Sequence, residues 1–133
     1  MKKVLLSVLL VFGTILCTNA ETYKFYSTDF AYKIKDSEGY WGEWSDWEKS
    51  HCLITISTDR NVINIYSQNP QEFDIYETVG ESSDDEGESI EFKCVDTNGL
   101  RCHIRLRKQK NKVLQMYVDY NDIILVYCIE ERN

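Results

Sequence analysis

The stretch that decides the fold is IEFKCVDTNGLRCHIRL, residues 90–106. Apolar and polar residues alternate on both sides of a central Asp-Thr-Asn-Gly, and this period of two is typical of strands with one buried face. The central residues suit a type I turn followed by a left-handed glycine, which closes a three-residue hairpin loop. In that register Cys94 lies opposite Cys102, whereas a two-residue Asn-Gly turn would place Cys94 opposite His103.

The same alternation recurs along most of the chain, with polar turn signals between the apolar runs. The sequence therefore predicts an all-β fold, an antiparallel eight- or nine-stranded small barrel or sandwich built from hairpins. The last run, 123–129, is almost wholly apolar, which indicates a strand covered on both faces. One face of the long first strand is predicted to carry Tyr26, Thr28, Phe30, Tyr32 and Ile34.

The first twenty residues have the order of a secretory signal peptide. A basic start at Lys2 and Lys3 precedes an apolar run and then small residues up to Ala20. The run is shorter than the roughly 20 residues that span a bilayer. We therefore expect a bacterial signal peptide at 1–20, a single β domain at 21–133, and a secreted or periplasmic product. A retained anchor and a lipid on Cys17 are the alternatives.

Removal of the signal peptide makes the chain strongly acidic. It takes away two lysines, so 13 basic side chains face 22 acidic ones and the net charge becomes −9. Such a charge repels nucleic acid and anionic lipid surfaces. We expect a protein or carbohydrate partner, no nucleic acid and no membrane span after cleavage, and the oligomeric state stays open.

Four cysteines remain in the exported chain, and an even number in that compartment indicates disulfides. The favoured hairpin register pairs Cys94 with Cys102, which leaves Cys52 with Cys128. Small buried thiols are the alternative. The spacing does not match paired zinc hooks.

An acidic stretch, residues 80–89, is a candidate calcium loop. The EF-hand register fails because Lys93 falls where the twelfth-position carboxylate is required. We predict a solvated, flexible surface loop, and the sequence predicts neither a metal nor a cofactor.

The first candidate binding site is a tryptophan segment, residues 40–47, in which Trp41, Trp44 and Trp47 are spaced by three. A flat strand would place Trp41 and Trp47 on one face and Trp44 on the other. An exposed ring there would stack on a sugar or anchor a protein partner. Core packing is the alternative.

The tryptophan segment resembles the tryptophan ladder of thrombospondin repeats and the Trp-Ser-x-Trp-Ser box of cytokine receptors. In both families arginine side chains interleave with the rings through cation–π contacts. The cysteine pairs and the arginine ladder of thrombospondin repeats are missing, and no arginine precedes Arg60. No function is therefore carried over from this resemblance.

The second candidate is a basic stripe on one face of a predicted strand, formed by Arg101, His103, Arg105 and Arg107. Arginine forks on such a face would dock an acidic partner or a carboxylate ligand. The alternative is a solvated face whose charges pair with Glu91 or with the acidic stretch.

Catalytic signals are weak, and we predict no enzyme and no catalytic residue. The two histidines, His51 and His103, lie in no nucleophile or metal motif. Asp119 and Asp122 flank a tight turn and are interpreted as turn residues.

The whole exported region resembles small uncharacterised exported β proteins of Bacteroidetes-type bacteria, chiefly through residues 92–102 and 118–122. That resemblance implies no activity. We expect a non-catalytic exported binding or interaction module. The alternatives are a lipocalin-like barrel that holds a small ligand and an inhibitor of an extracytoplasmic enzyme, which needs a rigid protruding loop.

Overall fold

A computed structural model describes residues 22–132. These residues form β1 (Thr22–Ile34), β2 (Glu48–Lys49), β3 (Leu53–Ser57), β4 (Val62–Tyr66), β5 (Gln71–Asp84), β6 (Gly87–Asp96), β7 (Arg101–Gln109), β8 (Leu114–Asp119) and β9 (Ile123–Glu131). The predicted signal peptide at 1–20, with Cys17, lies outside the described residues. Within 22–132 there is no helix long and apolar enough to cross a membrane.

The strands close into an antiparallel barrel. From β3 to β9 each strand pairs with its neighbour in the sequence, and β1 pairs with both β3 and β9. Eight strands thus form the wall, and the two-residue β2 lies beside β1 as an extra strand. The all-β antiparallel prediction is confirmed, and the architecture is a barrel rather than a sandwich.

The hairpin between β6 and β7 has the favoured register. Asp96 N donates to the Leu100 carbonyl at 2.9 Å and Gly99 N donates to the Asp96 carbonyl at 3.0 Å. Gly99 has a φ of 84°, the left-handed conformation that this loop requires. Cys94 consequently lies opposite Cys102.

The Asp96 carboxylate stabilises this turn by accepting hydrogen bonds from its backbone amides. Its Oδ1 accepts the amides of Asn98 and Leu100, each at 2.9 Å, and the Tyr120 hydroxyl donates to Oδ2 at 2.8 Å. Burial opposes ionisation here, but the hydrogen bonds from Tyr120 and the turn amides prevail and lower the pKa of Asp96.

Side chains of the strands fill the barrel interior. The largest fully buried ones include Phe25, Phe73, Phe92, Ile54, Ile104, Leu106 and Met116. A cleft between Phe25, Leu106, Leu114 and Ile129 has no space for a water molecule. On the outside of β9, Val126 is only 3% exposed, so the middle of that strand is covered on both faces as its apolar run predicted. The outward residues on either side, Ile124 and Cys128, are half-buried.

The predicted face of the first strand is wrong in its N-terminal half. A β-bulge between Ser27 and Asp29 inserts one residue and switches the side-chain alternation. Phe25 therefore points into the barrel before the bulge, and Phe30 packs against the core after it. Tyr26 lies outside, stacked on His51 with ring centroids 5.3 Å apart.

The acidic stretch 80–89 is a β-hairpin and not a flexible loop. It forms the end of β5, a two-residue turn and the start of β6. Asp84 Oδ1 accepts the amides of Glu86 and Gly87 at 2.8 and 3.0 Å, which fixes the turn. A side chain at Gly87 would place Cβ 2.2 Å from the Lys108 carbonyl oxygen, so this close strand approach needs glycine.

The predicted disulfides are absent, and all four cysteines are free thiols. Cys94 and Cys102 are opposite each other but remain buried thiols, and burial raises their pKa values to about 12 and about 11. Cys52 belongs to the core cluster. Cys128 alternates with the inward residues Tyr127 and Ile129 of β9, so its side chain is on the outer side of the barrel wall, where it contacts Gln115. The barrel wall thus separates Cys52 from Cys128.

Candidate binding surface

The tryptophan segment runs antiparallel along the C-terminal half of β1. Ser45 N donates to the Tyr32 carbonyl at 2.7 Å, and Ser45 Oγ accepts Tyr32 N at 2.9 Å. Gly42 N donates to the Ile34 carbonyl at 2.9 Å. These bonds use the edge of β1 that β3 leaves free, and they hold the tryptophans against the outside of the barrel.

Lysines of β1 and its C-terminal end interleave with the tryptophan rings. Lys33 Nζ lies 4.8 Å from the ring centroid of Trp44 and 5.6 Å from that of Trp41. Lys35 Nζ lies 4.9 Å from the Trp41 centroid. Sequence reasoning looked only for arginines near the rings and missed both lysines. The signal available in the sequence was the spacing of two residues between Lys33 and Lys35, which places both side chains on the same side of an extended strand.

Trp44 also reaches across the sheet to β8. Its ring centroid is 6.4 Å from that of Tyr117, with the planes inclined by 62°. β8 is two strands away from β1, a distance of about 10 Å at normal strand spacing, so the Trp44 ring extends over β9. Beneath this region the paired residues Ala31 and Val126 are only 1% and 3% exposed.

The contact chain continues to β7, because the Arg105 guanidinium lies 4.4 Å from the Tyr117 ring centroid. We name the resulting surface the aromatic–cation face, formed by Lys33, Lys35, Trp41, Trp44, Arg105 and Tyr117. Trp41 and Trp44 remain 38% and 43% exposed. The face therefore presents rings that are anchored on one side and open to solvent on the other.

A carboxylate fixes the orientation of Arg105. Its Nε and Nη2 donate to Asp119 Oδ2 and Oδ1 at 2.6 and 3.2 Å, a two-pronged pair. Burial disfavours the charged guanidinium, yet Asp119 outweighs this effect and raises the pKa of Arg105. Asp119 thus positions the arginine over Tyr117, a role that its turn position in the sequence did not indicate.

The rest of the basic stripe lies on the outer face of β7 as predicted, with each side chain engaged separately. His103 contacts the Glu91 carboxylate, and Arg107 donates to Asp84 at 3.4 Å. These are the acidic partners that the solvated-face alternative anticipated. The structure therefore brings Arg105, but not these two residues, into contact with the aromatic rings.

The two outermost predicted residues lie apart from the aromatic–cation face. Arg101 stacks on Tyr76 of β5 with its guanidinium 5.5 Å from the ring centroid. Trp47 is 52% exposed and makes no ring or cation contact within residues 22–132. Of the seven predicted binding residues, Trp41, Trp44 and Arg105 are thus joined in one surface.

No protein-family model, curated protein or solved structure gives a significant match to this chain. In the described part of the chain, no three His, Cys, Asp or Glu side chains are grouped to hold a metal ion. The functional interpretation therefore rests on the side-chain contacts and exposure of this chain.

Proposed function

We propose that this chain is a non-catalytic, exported binding module that engages a protein or carbohydrate partner through the aromatic–cation face. The observation that carries the proposal is the Trp44 ring, which contacts both Lys33 and Tyr117. It unites two sequence segments that were separate candidates. Half-exposed aromatic rings held by a rigid sheet supply a large contact area with little loss of side-chain freedom.

The cations favour a partner that carries carboxylates. Lys33 and Lys35 lie beside the rings, so a ligand that stacks on tryptophan also meets positive charge. The exported chain is strongly acidic elsewhere, so this face is where an anionic group of a partner meets the least repulsion. Acidic protein surfaces and acidic sugars share this chemistry.

Export rests on the signal-peptide pattern of the first twenty residues. Mass spectrometry of the protein recovered from the medium or the periplasm should give an N-terminus close to Glu21. Recovery of the intact chain from the cytoplasm would contradict this part of the proposal.

The lipocalin-like alternative has less support, because large side chains such as Phe73 and Phe92 occupy the barrel interior. The inhibitor alternative is favoured by one feature. β5 runs beyond its pairing with β4 and offers an exposed hairpin end. An inhibitor would use that end to fill a cleft of its target enzyme.

Binding experiments with matched variants test the proposal. Partners captured from the envelope fraction, and sugars from an array, are first identified and then titrated against the exported domain. Trp44→Ala and Arg105→Ala should weaken binding at least tenfold, about 1.4 kcal/mol. Tyr66→Ala and Arg101→Ala are the matched controls, since both side chains lie outside the aromatic–cation face.

Thermal melts must first show that all four variants are folded. Equal losses in the controls would mean non-specific adhesion, and unchanged binding by Trp44→Ala together with Arg105→Ala would mean that the partner uses another surface. Either result rejects the aromatic–cation face as the binding site.

A further inference from the structure

The second half of β5 is an unpaired strand edge. β5 has 14 residues but pairs with β4 only through Gln71–Asp74. The last bond across this boundary runs from Ile75 N to the Asn61 carbonyl at 2.8 Å. Residues 75–84 then pair with β6 alone. We name this segment the open β5 edge.

The ladder shows which peptide groups of the edge face solvent. Lys110 N donates to the Glu86 carbonyl at 3.0 Å, so Glu86 and the even-numbered residues of β6 direct their peptide groups at β7. Because this direction alternates along a strand, the odd-numbered residues of β6 direct their peptide groups at β5. The even-numbered residues at the end of β5 bond to them. Glu81 and Ser83 therefore point their N–H and C=O groups away from the sheet, and both residues are exposed.

Two bulges limit where a new strand fits. They lie between Ile75 and Glu77 and between Thr78 and Gly80. Bulges disturb the register of a strand and discourage pairing along it. The regular part from residue 81 to 84 is thus where an incoming strand would begin.

The negative charge of the hairpin end indicates which kind of strand would pair with the open β5 edge. Glu81, Asp85 and Glu86 form no ion pair within the described residues, while Asp84 has a single 3.4 Å contact to Arg107. A second copy of the chain would bring the same carboxylates together, and like charges oppose such pairing. A strand that carries lysine or arginine is attracted to the same edge.

We propose that the open β5 edge accepts an extended, lysine- or arginine-bearing segment of a partner protein as an added antiparallel strand. Main-chain hydrogen bonds to Glu81 and Ser83 hold the segment, and its cations meet the carboxylates of the hairpin. The site is separate from the aromatic–cation face. Its success or failure is therefore independent of the proposed function.

Peptide binding to the exported domain tests the proposal. The probe is a fluorescent decapeptide that alternates Lys and Thr, and its matched control carries N-methyl groups on alternate residues. N-methylation keeps every charge but removes the N–H donors on one edge. We expect the parent peptide to bind and the methylated peptide to bind at least tenfold more weakly. Equal affinities would show charge attraction alone and overturn the proposal.

A protein variant tests the same edge from the other side. Ser83→Pro removes an outward N–H without removing a bond to β6, a position where strands tolerate proline. It should lower peptide affinity at least tenfold, whereas Trp44→Ala should not change it. Unchanged binding by a folded Ser83→Pro variant would overturn the proposal. Analytical ultracentrifugation provides a second test. A dimer of the unsubstituted chain that is absent in the Ser83→Pro variant would also overturn the proposal, because the added strand would then come from a second copy.

Discussion

The contact between Trp44 and Tyr117 can be measured by a double-mutant cycle. The perturbations are Trp44→Ala, Tyr117→Ala and the double variant. The rings meet edge to face at 6.4 Å, and such pairs contribute about 0.5–1.5 kcal/mol beyond the area that they bury. We therefore expect a coupling free energy of about 1 kcal/mol.

The single substitution should cost more than the coupling. Trp44 is 43% exposed, so roughly 140 Å² is buried if a tryptophan can bury about 250 Å². At about 25 cal/mol per Å² this area corresponds to about 3.5 kcal/mol, an upper bound because unfolded chains are partly compact. We expect Trp44→Ala to lower the free energy of unfolding by about 2–3 kcal/mol.

Urea denaturation followed by far-UV circular dichroism gives the four unfolding free energies. A parallel cycle between Trp47 and Tyr117 is the control, and its substitutions should be additive within about 0.5 kcal/mol. Additive effects of Trp44 and Tyr117, or an equally large coupling for Trp47, would refute the arrangement of the aromatic–cation face.

Four further measurements test the barrel itself. Phe92→Ala should lower the unfolding free energy by about 3–5 kcal/mol, because the side chain is fully buried, and a loss below about 1 kcal/mol in urea denaturation would contradict a filled interior. Gly87→Ala should be more destabilising than Gly99→Ala in thermal melts, since only the former meets a backbone oxygen at 2.2 Å; equal shifts would contradict the close strand approach. Because the folded pKa of Asp96 is lowered, its stabilisation is present above the unfolded pKa of about 3.9 and is lost as the pH falls through the folded value. Asp96→Asn should therefore flatten the acid limb of stability against pH, and an unchanged limb would argue against the carboxylate cap. Four thiols should titrate in the unfolded, unreduced exported domain, and half-buried Cys128 should react before the three buried cysteines in the native state; fewer than four would reveal a disulfide.

Local sequence patterns predicted the hairpins well. The turn chemistry around Gly99 and the alternation on either side determine a register over a few residues, and short-range physics suffices there. Closure into a barrel instead depends on β1 pairing with β9, roughly 100 residues later in the chain (Tyr32 with Leu125, for example). No local pattern distinguishes that closure from a sandwich.

The candidate site was predicted only in part, because its assembly is also non-local. Trp44 and Arg105 were each singled out, but Tyr117, which links them, reads in the sequence as an ordinary outward residue of β8. The acidic stretch was misassigned because carboxylates and glycines suggested a loop, while pairing with β7 keeps β6 extended as far as Gly87. Tertiary pairing overrode local propensity there.

The bulge in β1 determines both the packing of the core and the position of a lysine in the aromatic–cation face. Without the extra residue, the alternation that places Phe25 inside would continue to Lys33 and direct its ammonium into an apolar barrel, at a cost of several kcal/mol. With the bulge, Phe30 packs against the core and Lys33 meets Trp44 outside. Ser27 stabilises this point, because its buried Oγ accepts Cys52 N at 2.9 Å and lies 2.8 Å from Ser50 Oγ. The register change that completes the core therefore also places the cations of the aromatic–cation face.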